Sequence, residues 1–299
     1  MRTLISGSGG LIGMALMASL KQRGYEIVRL VRRASAEGDI LWSPEQNLLR
    51  LKPEDHFDIV VHLAGENIGA GRWTAGRKER ILQSRVKGTQ LLAESLTRLE
   101  RTPAVFISAS AVGYYGHRGD DIMREENGPG SGFLSEVCKA WETAADPVKK
   151  HGIRTVCLRF GMVLSPHGGA LARMLLPFKL GLGGKFGDGC QYMSWIAIDD
   201  LVAVIHHVIY DASVSGPVNV VSPNPVTNAE FTKTLASVLH RPAIFNVPAR
   251  ALRLILGEMA NALLLDSTRV EPAKLLATGF EFKYSDLRPA LEYLLLQTP

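Results

Sequence analysis

The sequence predicts an α/β fold: a doubly wound parallel sheet with a smaller α+β C-terminal domain. Three observations carry this. Short apolar, β-branched runs alternate with helix-length segments over the first 160 residues. A glycine-rich turn joins the first run to the first helix. After about residue 165 the texture changes to glycine-rich loops and shorter pieces. Strands separated by helices imply βαβ units, whose crossovers build a parallel sheet with helices on both faces.

Each element has its own signal. Thr3-Leu4-Ile5-Ser6 reads as a short buried strand. A helix follows from about Gly10 to Arg23, with Gly24 as its stop. Glu26–Val31 is the second strand, and Asp58–Leu63 and Ala104–Ser108 are further strands rich in apolar residues. Between the last two lies a long helical stretch, about Thr74 to Leu99. A helix from about Gly132 to Lys150 precedes the strand Thr155–Arg159. Later signals are a strand over Met193–Ile198, a helix from Asp199, a strand over Val218–Val221 and a helix from Asn228. An amphipathic helix from about Ser285 to Leu296 closes the chain. Asp199 and Asp200 read as helix N-terminal caps rather than a catalytic pair. This organisation assigns residues 1–165 to a cofactor domain, with 196–222 returning to it. Residues 166–195 and 223–299 form the substrate domain.

The 299 residues are 46% hydrophobic and 21% charged, which excludes a disordered or low-complexity chain. A net charge of +5 is too dilute to argue for nucleic acid. Three cysteines without a CxxC pair point to a reducing, cytoplasmic setting. The uncharged run Thr3–Leu20 is interrupted by four glycines, so it reads as strand, turn and helix rather than a signal peptide. No stretch reaches the roughly 18 apolar residues of a membrane span. The basic excess concentrates between Arg72 and Arg101, with eight basic and three acidic residues. Two readings stay open there: a solvated helix face, or a basic rim attracting a phosphorylated ligand or acidic partner.

Gly7, Gly10 and Gly13 fit G-x-x-G-x-x-G at a strand-to-helix turn. Glycines let the backbone approach a pyrophosphate, and the amides of a helix N-terminus bind its charge. Ser8, Leu11 and Ile12 lie on the same turn and join the expected cofactor set. At the end of the second strand an NAD enzyme usually carries an acid for the ribose 2′-hydroxyl. This chain has Arg32 and Arg33 there. A guanidinium matches a 2′-phosphate in charge and geometry, so NADP(H) is favoured.

A set of motifs then resembles the extended short-chain dehydrogenase/reductase superfamily, of Rossmann type, and its "epimerase family" branch with a distinctive C-terminal domain. They are the Gly7–Gly13 turn, His62-Leu63-Ala64-Gly65, Val86-Lys87-Gly88-Thr89, Ser108–Gly116, Leu158–Gly161, Gly187–Gln191 and Trp195–Leu201. The resemblance covers essentially the whole chain. It implies further cofactor contacts from Leu63, Ala64, Gly65, Ser108, Phe160 and Gly161. It also implies a catalytic serine at Ser110 and a Tyr-x-x-x-Lys pair on the next helix. That pair does not match. Counting back from Glu142 places Cys138 at the lysine position and Leu134 at the tyrosine position. Shifting by one residue uses Lys139 and finds Ser135. Tyr114 and Tyr115, just after Ser110, are the substitute acid/base candidates, with aromatic packing as the alternative. Cys138 reads as a buried apolar cysteine. No metal cluster, Walker turn or nucleophile elbow is present.

These residues imply an NADP(H)-binding, epimerase- or oxidoreductase-like protein. Its expected partner is a small-molecule substrate, a nucleotide sugar or a carbonyl compound, with no nucleic acid and no membrane. The alternative is a catalytically silent NADP(H)-binding sensor or assembly factor.

Overall fold

The computed structural model describes residues 1–33 and 36–296. The chain forms two compact units. The first comprises Met1–Ser110, Val137–Leu158 and Ile205–Val218. The second comprises Ala111–Glu136, Arg159–Val204 and the chain from Asn219 on.

The first unit is built on an eight-stranded sheet. In chain order its elements are β1 (Arg2–Ser6), α1 (Leu11–Gln22), β2 (Glu26–Val31), β3 (Ile40–Ser43), β4 (Leu48–Leu49), β5 (Ile59–His62), α2 (Ala75–Leu96) and β6 (Val105–Ala111). These are followed by α3 (Phe133–Thr143), α4 (Asp146–Lys150), β7 (Arg154–Phe160), α5 (Ile198–Tyr210) and β8 (Gly216–Val220). The strand order is β8-β7-β6-β5-β1-β2-β3-β4. β1 runs parallel to β2 and β5, β5 to β6, and β2 to β3. The β3–β4 pair is antiparallel. The chain therefore builds outward from β1 on one side, then returns to its other side, which makes β1 the switch point where doubly wound sheets bind ligands. Register brings Ser6, Leu30, His62 and Ser108 level across four neighbouring strands, at the carboxyl ends of β1 and β5.

Helix boundaries follow local chemistry. Gly24 takes φ +75°, the left-handed stop that suits glycine. Thr74 caps α2 by accepting from the Arg77 amide. The single helix expected over 132–150 is two, α3 and α4. Pro147 has no amide to donate and disfavours helical geometry in the residue before it, so a new helix starts there. The edge strands β3 and β4 carry no alternating pattern that sequence reading could use. Leu4, Leu30, Trp42, Val60, Leu92 and Phe106 are among the buried side chains of this core. Each stabilises the unit by roughly 1.5–3 kcal/mol of transfer free energy.

The second unit is assembled from helices and two-stranded ladders. Gly184–Phe186 pairs with Phe245–Val247, and Trp195–Ala197 with Met162–Leu164. At Gly184 a Cβ would fall on the Phe245 carbonyl, so only glycine permits that ladder. The strand expected over Met193–Ile198 is split into Tyr192–Met193 and Trp195–Ala197. Between them Ser194 turns its hydroxyl to the Thr268 carbonyl and accepts the Val270 amide. The helix Asn228–Val238 opens with a capping box formed by Thr227 and Glu230. The helix Gly169–Lys179 falls where the sequence reads as loop. The expected cap role of Asp200 is corrected: its carboxylate accepts the Lys283 and Tyr284 amides, tying the C-terminal segment down. No helix among the described residues is long and apolar enough to cross a membrane.

Candidate functional site

The turn after β1 is shaped by glycine. Gly7 sits at φ +72°, and a Cβ there would lie 2.7–2.8 Å from the Leu63 and Ala64 backbone. A Cβ on Gly13 would lie 2.3 Å from the Gly7 carbonyl oxygen. The Gly10 amide donates to that same oxygen at 3.0 Å. The three motif glycines thus let β1, the β5 loop and α1 meet backbone to backbone. α1 has no side-chain cap and no acid in its first turn. Its first amides and positive dipole end suit an anion such as a pyrophosphate. Ser8 is buried beside the turn, Gly10 is exposed, and Leu11 and Ile12 are partly exposed.

Ser6 and His62, to which the sequence assigns no individual role, hold this turn against the β5 loop. Ser6 Oγ accepts the Leu63 and Ala64 amides at 3.2 and 3.3 Å. Its single proton therefore goes to His62 Nδ1, 2.6 Å away. That fixes the neutral tautomer with a proton on Nε2, an atom without a partner in the core. Burial pulls the His62 pKa down to about 4. The signal was available: His62 is the polar residue closing the apolar run Ile59–Val61, and Ser6 follows the apolar pair Leu4-Ile5. Leu63, Ala64 and Gly65 follow directly.

Arg32 and Arg33 directly follow β2, both exposed, and neither forms a side-chain bond among the described residues. Arg29, on the same strand, clamps Asp39 through two 2.8 Å bonds. Asp39 also accepts the Ala36 amide, which anchors the chain beyond the arginine pair.

At the end of β6, Ser108 and Ser110 are both buried. Ser108 turns its hydroxyl onto the Ala109 carbonyl. Ser110 donates to Glu142 Oε1 of α3 at 2.7 Å. The serine expected to hold substrate is thus committed to a carboxylate inside the protein. One turn back on α3 lies Cys138, and next to Glu142 lies Trp141, both buried. Arg85 from α2 lays its guanidinium over the Trp141 ring, 4.9 Å from the centroid. Its Nη1 donates to the Glu66 and Ile81 carbonyls.

The two tyrosines belong to the second unit and have opposite surroundings. Tyr115 is fully buried. Its hydroxyl donates to Asn219 and accepts from Arg159. Burial pushes its pKa up to about 12, against the opposing pull of Arg159. A phenol held that way cannot exchange protons near neutrality. The hydroxyl expected to act as acid/base is thus engaged by Asn219 and Arg159 inside the core. Tyr114 is partly exposed and stacks under the Arg159 guanidinium at 3.6 Å. At the empty tyrosine positions, Leu134 packs against Gly113 and Ser135 bonds the Tyr114 and Gly130 carbonyls. Phe160 is buried, and the Gly161 amide bonds the Val220 carbonyl where a Cβ would strike Ser194.

With this geometry in place, comparison with known proteins gives a consistent result. The model of the NAD dependent epimerase/dehydratase family matches residues 3–221. A domain of unknown function, DUF1731, matches residues 247–294. An epimerase family protein of Mycobacterium bovis is 41% identical, covering 97% of this chain and 96% of its own. The mouse epimerase family protein SDR39U1 is 38% identical over 98% and 99%. The crystal structure of human SDR39U1 with NADPH superposes with a TM-score of 0.91 at 35% identity, covering both chains fully. A nucleoside-diphosphate sugar epimerase from Corynebacterium glutamicum gives 0.80 at 39% identity, over 98% of this chain and 58% of that one.

Proposed function

Because this chain belongs to the NAD dependent epimerase/dehydratase family, we propose that it binds NADP(H) and acts as an epimerase- or oxidoreductase-like enzyme on a small nucleotide-sugar or carbonyl substrate. The observation that carries the reading is the glycine turn, where a Cβ at Gly13 would strike the Gly7 carbonyl and α1 opens without a cap. There the amides of α1 hold the pyrophosphate, and Leu63, Ala64 and Gly65 line the next loop. Arg32, with Arg33 beside it, takes the 2′-phosphate, since both are exposed just after β2 and neither forms a side-chain bond among the described residues. The relative solved with NADPH supports that cofactor over NADH. Bound there, the cofactor supplies hydride exchange. Tyr114 is the proton-transfer residue, as the one of the two tyrosines with access to solvent.

A second reading has its own support. Ser110 is tied to Glu142 and Tyr115 to Arg159, so two of the three expected catalytic groups are occupied inside the protein. On that reading the chain senses NADP(H) without turnover.

Titration with NADPH and NADH tests the binding step. Arg32→Ala should weaken NADPH much more than NADH, and equal loss for both overturns the 2′-phosphate assignment. A screen of nucleotide sugars and carbonyl compounds separates enzyme from sensor. Turnover that is lost in Tyr114→Phe supports the enzyme. No NADPH consumption above a Gly10→Asp control supports the sensor.

A further inference from the structure

Arg85 lies in the basic stretch that composition alone left without a role. It belongs to α2, yet its guanidinium leaves the helix surface and crosses to the loop after β5. A Cβ on Gly65 would lie 3.2 Å from Arg85 Cζ, so the guanidinium packs closely against the backbone at Gly65. Nη1 is held by the Glu66 and Ile81 carbonyls, and one face is covered by Trp141. Nε and Nη2 have no acceptor among the described residues. Among the described residues no ion pair neutralises the charge: the nearby Glu66 carboxylate lies 3.9 Å from Arg77 instead. Burial lowers the Arg85 pKa, with Cys138 and Glu66 working in the opposite direction. An arginine stays protonated even so. The result is a positioned, partly desolvated cation with half its fork free.

Its place along the sheet gives it meaning. A dinucleotide at a switch point lies across the carboxyl ends of the strands. Arg32 stands at the end of β2 and the glycine turn at the end of β1, and these take the adenosine and pyrophosphate half. The nicotinamide half then falls on the side of β5 and β6. Arg85 sits there, between the β5 loop and the α3 segment whose Glu142 holds Ser110 of β6. The nicotinamide ring is cationic in NADP⁺ and neutral in NADPH. A fixed positive charge repels the first and leaves the second unaffected.

From this juxtaposition we infer that Arg85 makes the site selective for the reduced cofactor, so that the protein holds NADPH in preference to NADP⁺. The inference rests on the dinucleotide reading above and deepens it. Arg85 is a specificity residue here, and it applies to an enzyme and to a sensor alike. One unit charge a few ångströms from another, at the effective dielectric of a half-buried site, changes affinity by about tenfold or more.

The test is calorimetric titration of the full-length protein with NADPH, NADP⁺ and adenosine 2′,5′-bisphosphate, which lacks the nicotinamide half. The wild type should bind NADPH about tenfold or more tighter than NADP⁺. Arg85→Gln and Arg85→Met should bring the two affinities together by strengthening NADP⁺, while Arg85→Lys keeps the gap. Adenosine 2′,5′-bisphosphate should bind all four proteins alike, which also shows that the variants are folded. A wild type without preference, or a preference untouched in Arg85→Gln, overturns the inference while leaving the dinucleotide reading intact. No binding of any of the three ligands by the wild type overturns that reading, and this inference falls with it.

Discussion

The hydroxyl of Ser110 donates to the carboxylate of Glu142 at 2.7 Å, in a place where Ser110 is nearly inaccessible. β6 and α3 are thereby joined by a charge-assisted bond. Such bonds are stronger than neutral ones, and leaving one partner buried and unmatched costs more than the bond itself contributes.

Ser110→Ala should therefore act on stability before it acts on ligands. The expected loss is about 1–3 kcal/mol, read as a lowered chemical-denaturation midpoint. NADPH affinity should stay within about twofold, an energy below RT. A variant of wild-type stability with strongly weakened NADPH binding would assign Ser110 to the cofactor instead.

His62 gives a pH dependence with a definite sign. Its folded pKa, about 4, lies below the ordinary histidine value of 6.5. Between those values the unfolded chain binds the proton and the folded one does not. The stabilisation is complete above pH 6.5 and is lost as pH falls from 6.5 to 4. The full effect is about 3 kcal/mol. His62→Phe should flatten the fall in melting temperature over this window relative to the wild type. A parallel fall in both proteins would mean that carboxylates alone set the acid limit. The same substitution removes the acceptor that orients Ser6, so cofactor affinity should drop together with the Leu63 and Ala64 geometry.

The two neighbouring tyrosines should part company when tested. Tyr115→Phe strips the hydroxyl that joins Arg159 to Asn219, for a cost of about 1–3 kcal/mol. Since Tyr115 holds its proton up to about pH 12, its contribution is present below pH 10 and lost between 10 and 12. Tyr114→Phe should change stability by no more than about 0.5 kcal/mol, as expected for a partly exposed group. Any turnover found should fall in Tyr114→Phe and survive in Tyr115→Phe. The reverse pattern would overturn the assignment.

The first unit was legible because its signals are local. Strand runs, the glycine spacing and the arginines after β2 all lie within a few residues of what they specify. The β3–β4 edge was not, because Ile40–Ser43 and Leu48–Leu49 are too short to show a period. The roles of Arg85 and Glu142 are not legible in the sequence, since their partners Trp141 and Ser110 lie 56 and 32 residues away. Tyr115 and Tyr114 are indistinguishable in sequence, and only packing separates the buried hydroxyl from the accessible one. In the second unit, pairings such as Gly184 with Phe245 are made across some sixty residues, and no spacing rule reaches that far.

The glycine turn supplies a final prediction, because its glycines are not equivalent. A Cβ on Gly9 meets nothing within 4 Å, whereas one on Gly13 lies 2.3 Å from the Gly7 oxygen and 2.9 Å from Ser8 Cα. These neighbours are backbone and cannot swing aside. Gly13→Ala must push α1 away from β1, displacing the helix N-terminus whose amides face the pyrophosphate. The expected outcome is loss of NADPH binding by about 100-fold or more, equivalent to two losses of 1.4 kcal/mol each. The melting temperature should fall as well, by about 2–4 °C for each kcal/mol of strain. Gly9→Ala should leave the melting temperature within about a degree of the wild type, as for a substitution that adds no contact. If Gly13→Ala binds NADPH normally, the close approach of α1 to β1 is not what forms the phosphate site, and the dinucleotide must be held elsewhere on the sheet.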